Sequence, residues 1–194
     1  MWGDRIYVTA PRWHGNSHPL NLGELDRRTS DLPLSSPVRP FPSWEMQRLG
    51  DCNSFQFVQS MEAGTMLLQK IILILDGIQL YMKVERDGVM WLPDNGRQLG
   101  ARDTARCPAK LVLLDLATRQ LRHTHTFPEA VVPRRRGRSF LNDIALSVAR
   151  PGEKHAYISD SERGVLVVFS LARDTSWVVA HSSMRGRHVT DAII

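Results

Sequence analysis

Along most of the chain, apolar and polar positions alternate in short runs, the period of a strand with one buried face. Arg5-Ile6-Tyr7-Val8-Thr9 is β-branched and aromatic, and Pro11 stops it. Phe55 to Met61 alternates with period two. Further strands are predicted at 88–92, 110–116, 121–127, 144–148, 156–158, 165–171 and 176–180, with turns rich in Gly, Asp, Asn and Arg between them. Pro33, Pro37, Pro40 and Pro42 mark an extended connection. Many short strands with regular turns leave an all-β sandwich, a barrel or a propeller.

An internal repeat chooses among these. One unit contains Met90-Trp91-Leu92-Pro93-Asp94 and then Leu111 to Leu121. The next contains Ala156-Tyr157-Ile158-Ser159-Asp160 and then Leu166 to Trp177. Each is a strand ending in Asp, a loop, and a hairpin pivoting on Leu-Ala, with Leu116 and Leu171 lying 55 positions apart. Another strand precedes each unit: Phe55 to Met61 for the first, Asn142 to Val148 for the second. About four strands per repeat is the size of a propeller blade. At that size the chain holds about three blades, whereas closing a ring takes about four to eight. It is then a piece of a longer protein, a protomer that closes a ring by dimerising, or the product of a mis-assembled gene.

The totals of this 194-residue chain add little. With 42% apolar and 23% charged residues, disorder is not expected. The formal charge of +5 is mostly arginine and is scattered, apart from Arg134, Arg135, Arg136 and Arg138, so no nucleic-acid partner is expected. That basic run reads as a solvated linker between blades, with polyanion contact or proteolytic cleavage as other roles. The apolar run from Met66 to Met82 carries Lys70 and Asp76 and is shorter than a span needs, so no membrane segment is expected. The N-terminus lacks the pattern of a signal peptide, as it also would if the chain began in mid-domain. No Asn-x-Ser/Thr acceptor occurs. The two cysteines, Cys52 and Cys107, either pair in an oxidising compartment or stay as buried thiols.

Chemistry-bearing patterns are sparse. There is no nucleophile–base–acid set, no Gly-rich phosphate loop and no zinc spacing, so no enzyme signature, cofactor or metal is expected. His123 and His125 share a strand face, but a third ligand is not apparent, and the strand reads as a solvated outer one. Asp94 and Asp160 end equivalent strands, and their repetition argues for a structural role in bonding a turn. Arg97, after Asn95-Gly96, reads as a surface residue flanking a turn.

An ordered set of motifs resembles the arthropod yellow / major royal jelly protein family. It comprises Pro37-Val38-Arg39-Pro40-Phe41-Pro42-Ser43-Trp44, Cys52-Asn53-Ser54, Met90-Trp91 with Asp94-Asn95-Gly96-Arg97, and Cys107-Pro108-Ala109-Lys110-Leu111 with Leu114-Asp115-Leu116. After these come Thr126-Phe127-Pro128-Glu129, Ser139-Phe140-Leu141-Asn142-Asp143-Ile144, Ala156-Tyr157-Ile158-Ser159-Asp160-Ser161 and Ser176-Trp177. The resemblance covers residues 2–62 and 87–185. It implies a secreted six-bladed propeller about twice this length, of which residues 1–194 form a partial domain. Members of that family include pigmentation proteins, dopachrome-converting proteins, salivary binders of biogenic amines and food proteins.

Several further expectations rest on the resemblance. Cys52 and Cys107 match two family cysteines and should form a disulfide. Phe140, Asn142 and Asp143 begin the innermost strand of the second repeat, which in a propeller lines the axial channel, and are the candidate ligand-binding residues. The implied function is binding of a small aromatic amine or catechol-derived ligand linked to cuticle pigmentation. The alternatives are dopachrome conversion, for which no catalytic residue is assigned, and a structural or nutritive role without ligand. Three departures stand out. Residues 64–86 read as a non-family insertion, either a mis-spliced segment or a lineage-specific helix. Pro93 stands where the family carries an aliphatic residue and should cut its strand short. The family's signal peptide and last blades are missing, and after Met184 the tail departs from it.

Overall fold

The computed structural model describes residues 5–10, 19–26, 37–56, 58, 82–96, 107–134, 139–150 and 153–184. Most of the stretch 64–86, Arg97, Arg135 to Arg138 and the tail after Met184 lie outside the described residues. Within them there is no α-helix, only 3₁₀ turns at Glu45–Gln47 and Ser182–Met184.

The strands form three antiparallel sheets. Sheet 1 comprises β1 (Arg5–Thr9), β2 (Leu22–Asp26) and β3 (Arg39–Pro40) in that order. Sheet 2 is the meander β4 (Lys83–Val84), β5 (Val89–Asp94), β6 (Lys110–Asp115) and β7 (Gln120–Thr126). Sheet 3 repeats it as β8 (Leu141–Arg150), β9 (Glu153–Asp160), β10 (Val165–Ser170) and β11 (Thr175–Val179).

Side-chain alternation explains how the sheets stack. In β5 and β6 every residue is buried, which requires a neighbour on both faces. Met90, Leu92, Val112 and Leu114 join Tyr7, Leu22 and Phe41 of the sheet 1 side in one core. Val89, Trp91, Leu111 and Leu113 turn the other way and join Ile144, Ala156, Ile158, Val167 and Phe169 of sheet 3 in a second. Sheet 2 is therefore sandwiched between the other two. Trp91 is fully buried at the second joint, edge-on to Phe169 with ring centroids 6.3 Å apart. Its Nε1 donates to Glu85 Oε2 at 2.9 Å, and Lys154 of sheet 3 donates to the same carboxylate. Truncating so buried an indole typically costs about 3–5 kcal/mol.

The fourth strands differ in character. β7 is mostly exposed, with His123 half-buried and His125 buried, and β11 alternates between exposed and half-buried residues, as expected of strands with one face toward water. The first strands of the two meanders lie at the other edge. β8 is continuous, whereas in sheet 2 Val58 stands opposite Asp94, and Lys83 and Val84 stand opposite Trp91 and Met90. Two separate pieces of chain thus occupy the place that β8 fills alone. Lys83–Val84, within the stretch 64–86, is accordingly a strand of the sheet.

One expectation is corrected here. β5 runs through Pro93, which pairs with Leu111. On the opposite edge the described partners stand against Asp94 and Trp91, and Pro93 falls between them. Its missing donor therefore does not end the strand.

The connection between β5 and β6 runs from 95 to 109, whereas that between β9 and β10 spans only 161 to 164. The described ends of the longer connection are held in place. Cys107 is bonded to Cys52 with Cα atoms 5.2 Å apart, the disulfide that the resemblance implied. Gly96, at φ 68°, lies so close that an added Cβ would come within 2.4 Å of the Cys107 carbonyl oxygen.

Candidate functional site

The first group is the pair of aspartates that close the second strand of each meander. Asp94 accepts the Gln56 and Gly96 amides at 2.9 Å each. Asp160 accepts the Phe140 amide at 2.9 Å, the Arg163 amide at 3.3 Å and the Ser139 hydroxyl at 2.5 Å. Each carboxylate is buried and joins the lead-in of its sheet's first strand to the turn after the second. This is the structural role expected of them.

These bonds aim the start of β8. Leu141 is held from both sides, its amide donating to Asn95 Oδ1 at 2.8 Å and its carbonyl accepting from Asn95 Nδ2 at 2.9 Å. Beyond Leu141 the register breaks: Leu141 faces Asp160 and Ile144 faces Ile158. Asn142 and Asp143 thus oppose the single residue Ser159, which is a β-bulge. The Asp143 amide donates to Ser159 Oγ at 2.9 Å. Phe140, Asn142 and Asp143 are all half-buried, next to backbone fixed by Asn95 and Asp160. A bulge of this kind re-aims side chains at the rim of a sheet.

A concavity of about 510 Å³ lies on sheet 1, lined by Arg5, Glu24, Arg39, Trp44, Glu45 and Arg119 among others. Glu24 is buried and already engaged, 2.5 Å from Arg119 and 3.7 Å from Arg5. Arg119 also lies over the Phe41 ring, 5.0 Å from its centroid. With three arginines against two glutamates, the lining of this cleft carries a net positive charge, which does not favour a cationic amine.

The third group was only half visible in the sequence. His123 and His125 do share a face of β7, but Asp174 of the β10–β11 turn meets them. His123 Nε2 lies 2.9 Å and His125 Nδ1 3.0 Å from Asp174 Oδ1. His125 is buried rather than solvated, because sheet 3 packs over this end of the outer strand. Its Nε2 is 2.9 Å from Ser176 Oγ, and its ring lies against Phe169 with centroids 4.6 Å apart. Burial pulls the Asp174 carboxyl up, but the hydrogen bonds and attraction of both imidazoles outweigh it and hold the group below its ordinary value.

Stacked antiparallel meanders, each pinned at the same point by a buried aspartate, make this an all-β protein with the build of propeller blades. Comparison with known proteins gives the family: the sequence model of the Major royal jelly protein family matches residues 80–191. The chain belongs to that family. The match takes in 80–86 of the stretch expected to be foreign and 185–191 of the tail expected to diverge. Protein yellow of Drosophila yakuba is 26% identical over 186 residues, covering 93% of this chain and 29% of that protein. Dopaminechrome tautomerase of Drosophila melanogaster is 27% identical over 184 residues, covering 92% and 34%. Major royal jelly protein 1 of Apis mellifera is 24% identical over 180 residues, covering 90% and 35%. The chain thus spans about a third of these relatives, which are longer than the twofold length expected. A closed disulfide fits an extracellular protein. Among the described residues no helix is long and apolar enough to cross a membrane.

Proposed function

We propose that this chain is part of a secreted six-bladed propeller, contributing about three blades, that binds a small aromatic amine or catechol-derived molecule in cuticle pigmentation. The observation that carries this reading is the bulge at Asn142–Asp143. It brings the amide of Asn142 and the carboxylate of Asp143 to the head of β8, close in sequence to Phe140. An ammonium and a ring hydroxyl are the groups such a set recognises. The continuation into further blades is supported by sheet 3. Tyr157, Trp177 and Val179 are large apolar residues left exposed, and they alternate with Ile158 and Val178, which turn toward sheet 2. A face of that composition suits another sheet.

Conversion of dopaminechrome is the second reading, favoured by the relative named Dopaminechrome tautomerase. Calorimetric titration of the full-length protein with dopamine and serotonin, alongside a dopaminechrome decay assay, separates the two. Binding heat that Asp143→Asn weakens roughly tenfold or more, without turnover, supports the first reading. Turnover supports the second. Neither heat nor turnover refutes both and leaves the structural or nutritive role.

A further inference from the structure

The cluster of His123, His125 and Asp174 belongs to neither the bulge nor the cleft, and its origin lies in the repeat. Arg119 and Asp174 hold equivalent places in the β6–β7 and β10–β11 turns, 55 positions apart. Both adopt left-handed backbone, with φ 61° and 48°. Each reaches back to the preceding sheet. Arg119 meets Glu24 of sheet 1 as an ion pair, and Asp174 meets the two imidazoles of sheet 2. The first joint is closed by opposite charges. The second presents two imidazole nitrogens and a carboxylate oxygen, a donor set with another chemistry.

The geometry points to a divalent transition-metal site on His123 Nε2, His125 Nδ1 and Asp174 Oδ1 that fastens sheet 3 to sheet 2, with Zn²⁺ the ion that suits it best. Bonds of about 2.0–2.2 Å to imidazole and carboxylate in a tetrahedral arrangement put ligand atoms about 3.3–3.6 Å apart. The two separations to Asp174 are 2.9 and 3.0 Å, and all three ligand atoms lie within 4.8 Å of one another. The small adjustment falls to the accessible members, since the side chain of His123 is 30% exposed and that of Asp174 57%. His125 is the fixed point, packed against Phe127 and Phe169. A metal on its Nδ1 requires the ring proton on Nε2, where Ser176 Oγ stands 2.9 Å away to accept it. Such an oxygen behind a ligating histidine is the usual support that orients the ring. One carboxylate and two neutral imidazoles leave a net negative charge to meet the ion, and nitrogen donors favour zinc over calcium or magnesium. With Asp174 exposed, the fourth position opens to water.

The test uses the full chain, stripped with chelator, dialysed and titrated with Zn²⁺ alone. One Zn²⁺ per chain is expected, with a thermal midpoint raised by several degrees. Co²⁺ in its place should give the visible absorption of a tetrahedral site. His123→Ala and Asp174→Asn alter accessible side chains, so the fold should survive, and each should weaken binding roughly tenfold or more. Ser176→Ala should weaken it by about 10–100-fold, whereas His181→Ala should leave it unchanged. Absence of uptake by the parent chain, or uptake by His123→Ala and Asp174→Asn at parent affinity, overturns the proposal. The three side chains would then be a polar strap like Arg119–Glu24.

Discussion

Lys110 is a buried cation whose removal can be worked through from its contacts. Its Nζ donates to the carbonyls of Cys52 at 2.6 Å and Ser54 at 2.5 Å and lies 3.8 Å from Asp94 Oδ2. The lysine side chain is 3% exposed and that of Asp94 0%. Lys110→Met keeps the apolar stem and removes the charge and its donors. At 3.8 Å and an effective dielectric of about 20, the lost attraction is about 4 kcal/mol. Two carbonyls also lose their donor. Against this, burial holds the ammonium below its ordinary value, an effect larger than the opposing pull of Asp94 and Asp51. Methionine escapes that desolvation cost, and Asp94 keeps two amide donors. The balance is a loss of about 2–3 kcal/mol, at or below the low end of what breaking a buried pair from one side usually costs. Urea denaturation with the disulfide intact measures it. A second readout has a defined sign. The folded form sheds the Lys110 proton before the unfolded form does, so the unfolded state binds more protons between the lowered value and about 10.5. Parent stability should therefore gain from this group as pH rises through that window, and Lys110→Met should lack the gain. A variant within about 1 kcal/mol of the parent, or more stable, would refute the claim that this ammonium holds the 50–56 loop to sheet 2.

Two further outcomes follow from the same region and its hairpin. The Cys52–Cys107 bridge closes a separation of 55 residues, worth about 4 kcal/mol in the loop-entropy account. Cys52→Ala with Cys107→Ala should lose about that much, and reductant should bring the parent's melting down to the variant's; a melt indifferent to reductant contradicts it. The Asp115 carboxyl is held below its ordinary value, first by the Thr118 amide and, against burial, by Arg122. Its contribution is complete above about pH 4 and disappears as pH falls through the lowered value. Asp115→Asn should flatten the acid limb of the urea midpoint, and superimposable profiles below about pH 5 would count against the assignment.

How much was legible in the sequence depended on which partner a residue uses. β5 and β6 were readable because a strand buried on both faces is apolar throughout, and because the Leu116 and Leu171 hairpins mark the repeat. β2 was not readable. Its Gly23 lacks a side chain because Val38 and the Arg39 carbonyl crowd the position, and its Glu24 is buried only because arginines neutralise it. Both look like loop residues in one dimension. At the site, Asn142 and Asp143 could be placed at the start of a strand. Their bulge could not, since it exists only relative to Ser159 on the neighbouring strand. Asp174 was missed for the same reason. It lies 51 residues beyond His123, and no local spacing ties them. The usable signal was the repeat itself, which makes Asp174 the counterpart of Arg119.

That correspondence also shows where specificity can enter such a stack. The scaffold positions do the same work in each sheet: Asp94 and Asp160 pin the inner strand, and Leu116 and Leu171 turn the hairpin. Positions that share a place but not a residue type are free to differ. Arg119 and Asp174 both reach the preceding sheet, and the charge reversal between them obliges each joint to supply a different partner. Glu24 answers a guanidinium, whereas two histidines answer a carboxylate. Sheets that are interchangeable in backbone are thereby made distinct in their neighbours, because mispairing would set Arg119 against imidazoles or Asp174 against Glu24. Setting Asp174 against Glu24 would bring like charges together, and Arg119 against imidazoles would lose its carboxylate, so each mispairing is disfavoured. The turn residues therefore favour the observed order of the sheets, alongside the packing of the two apolar cores.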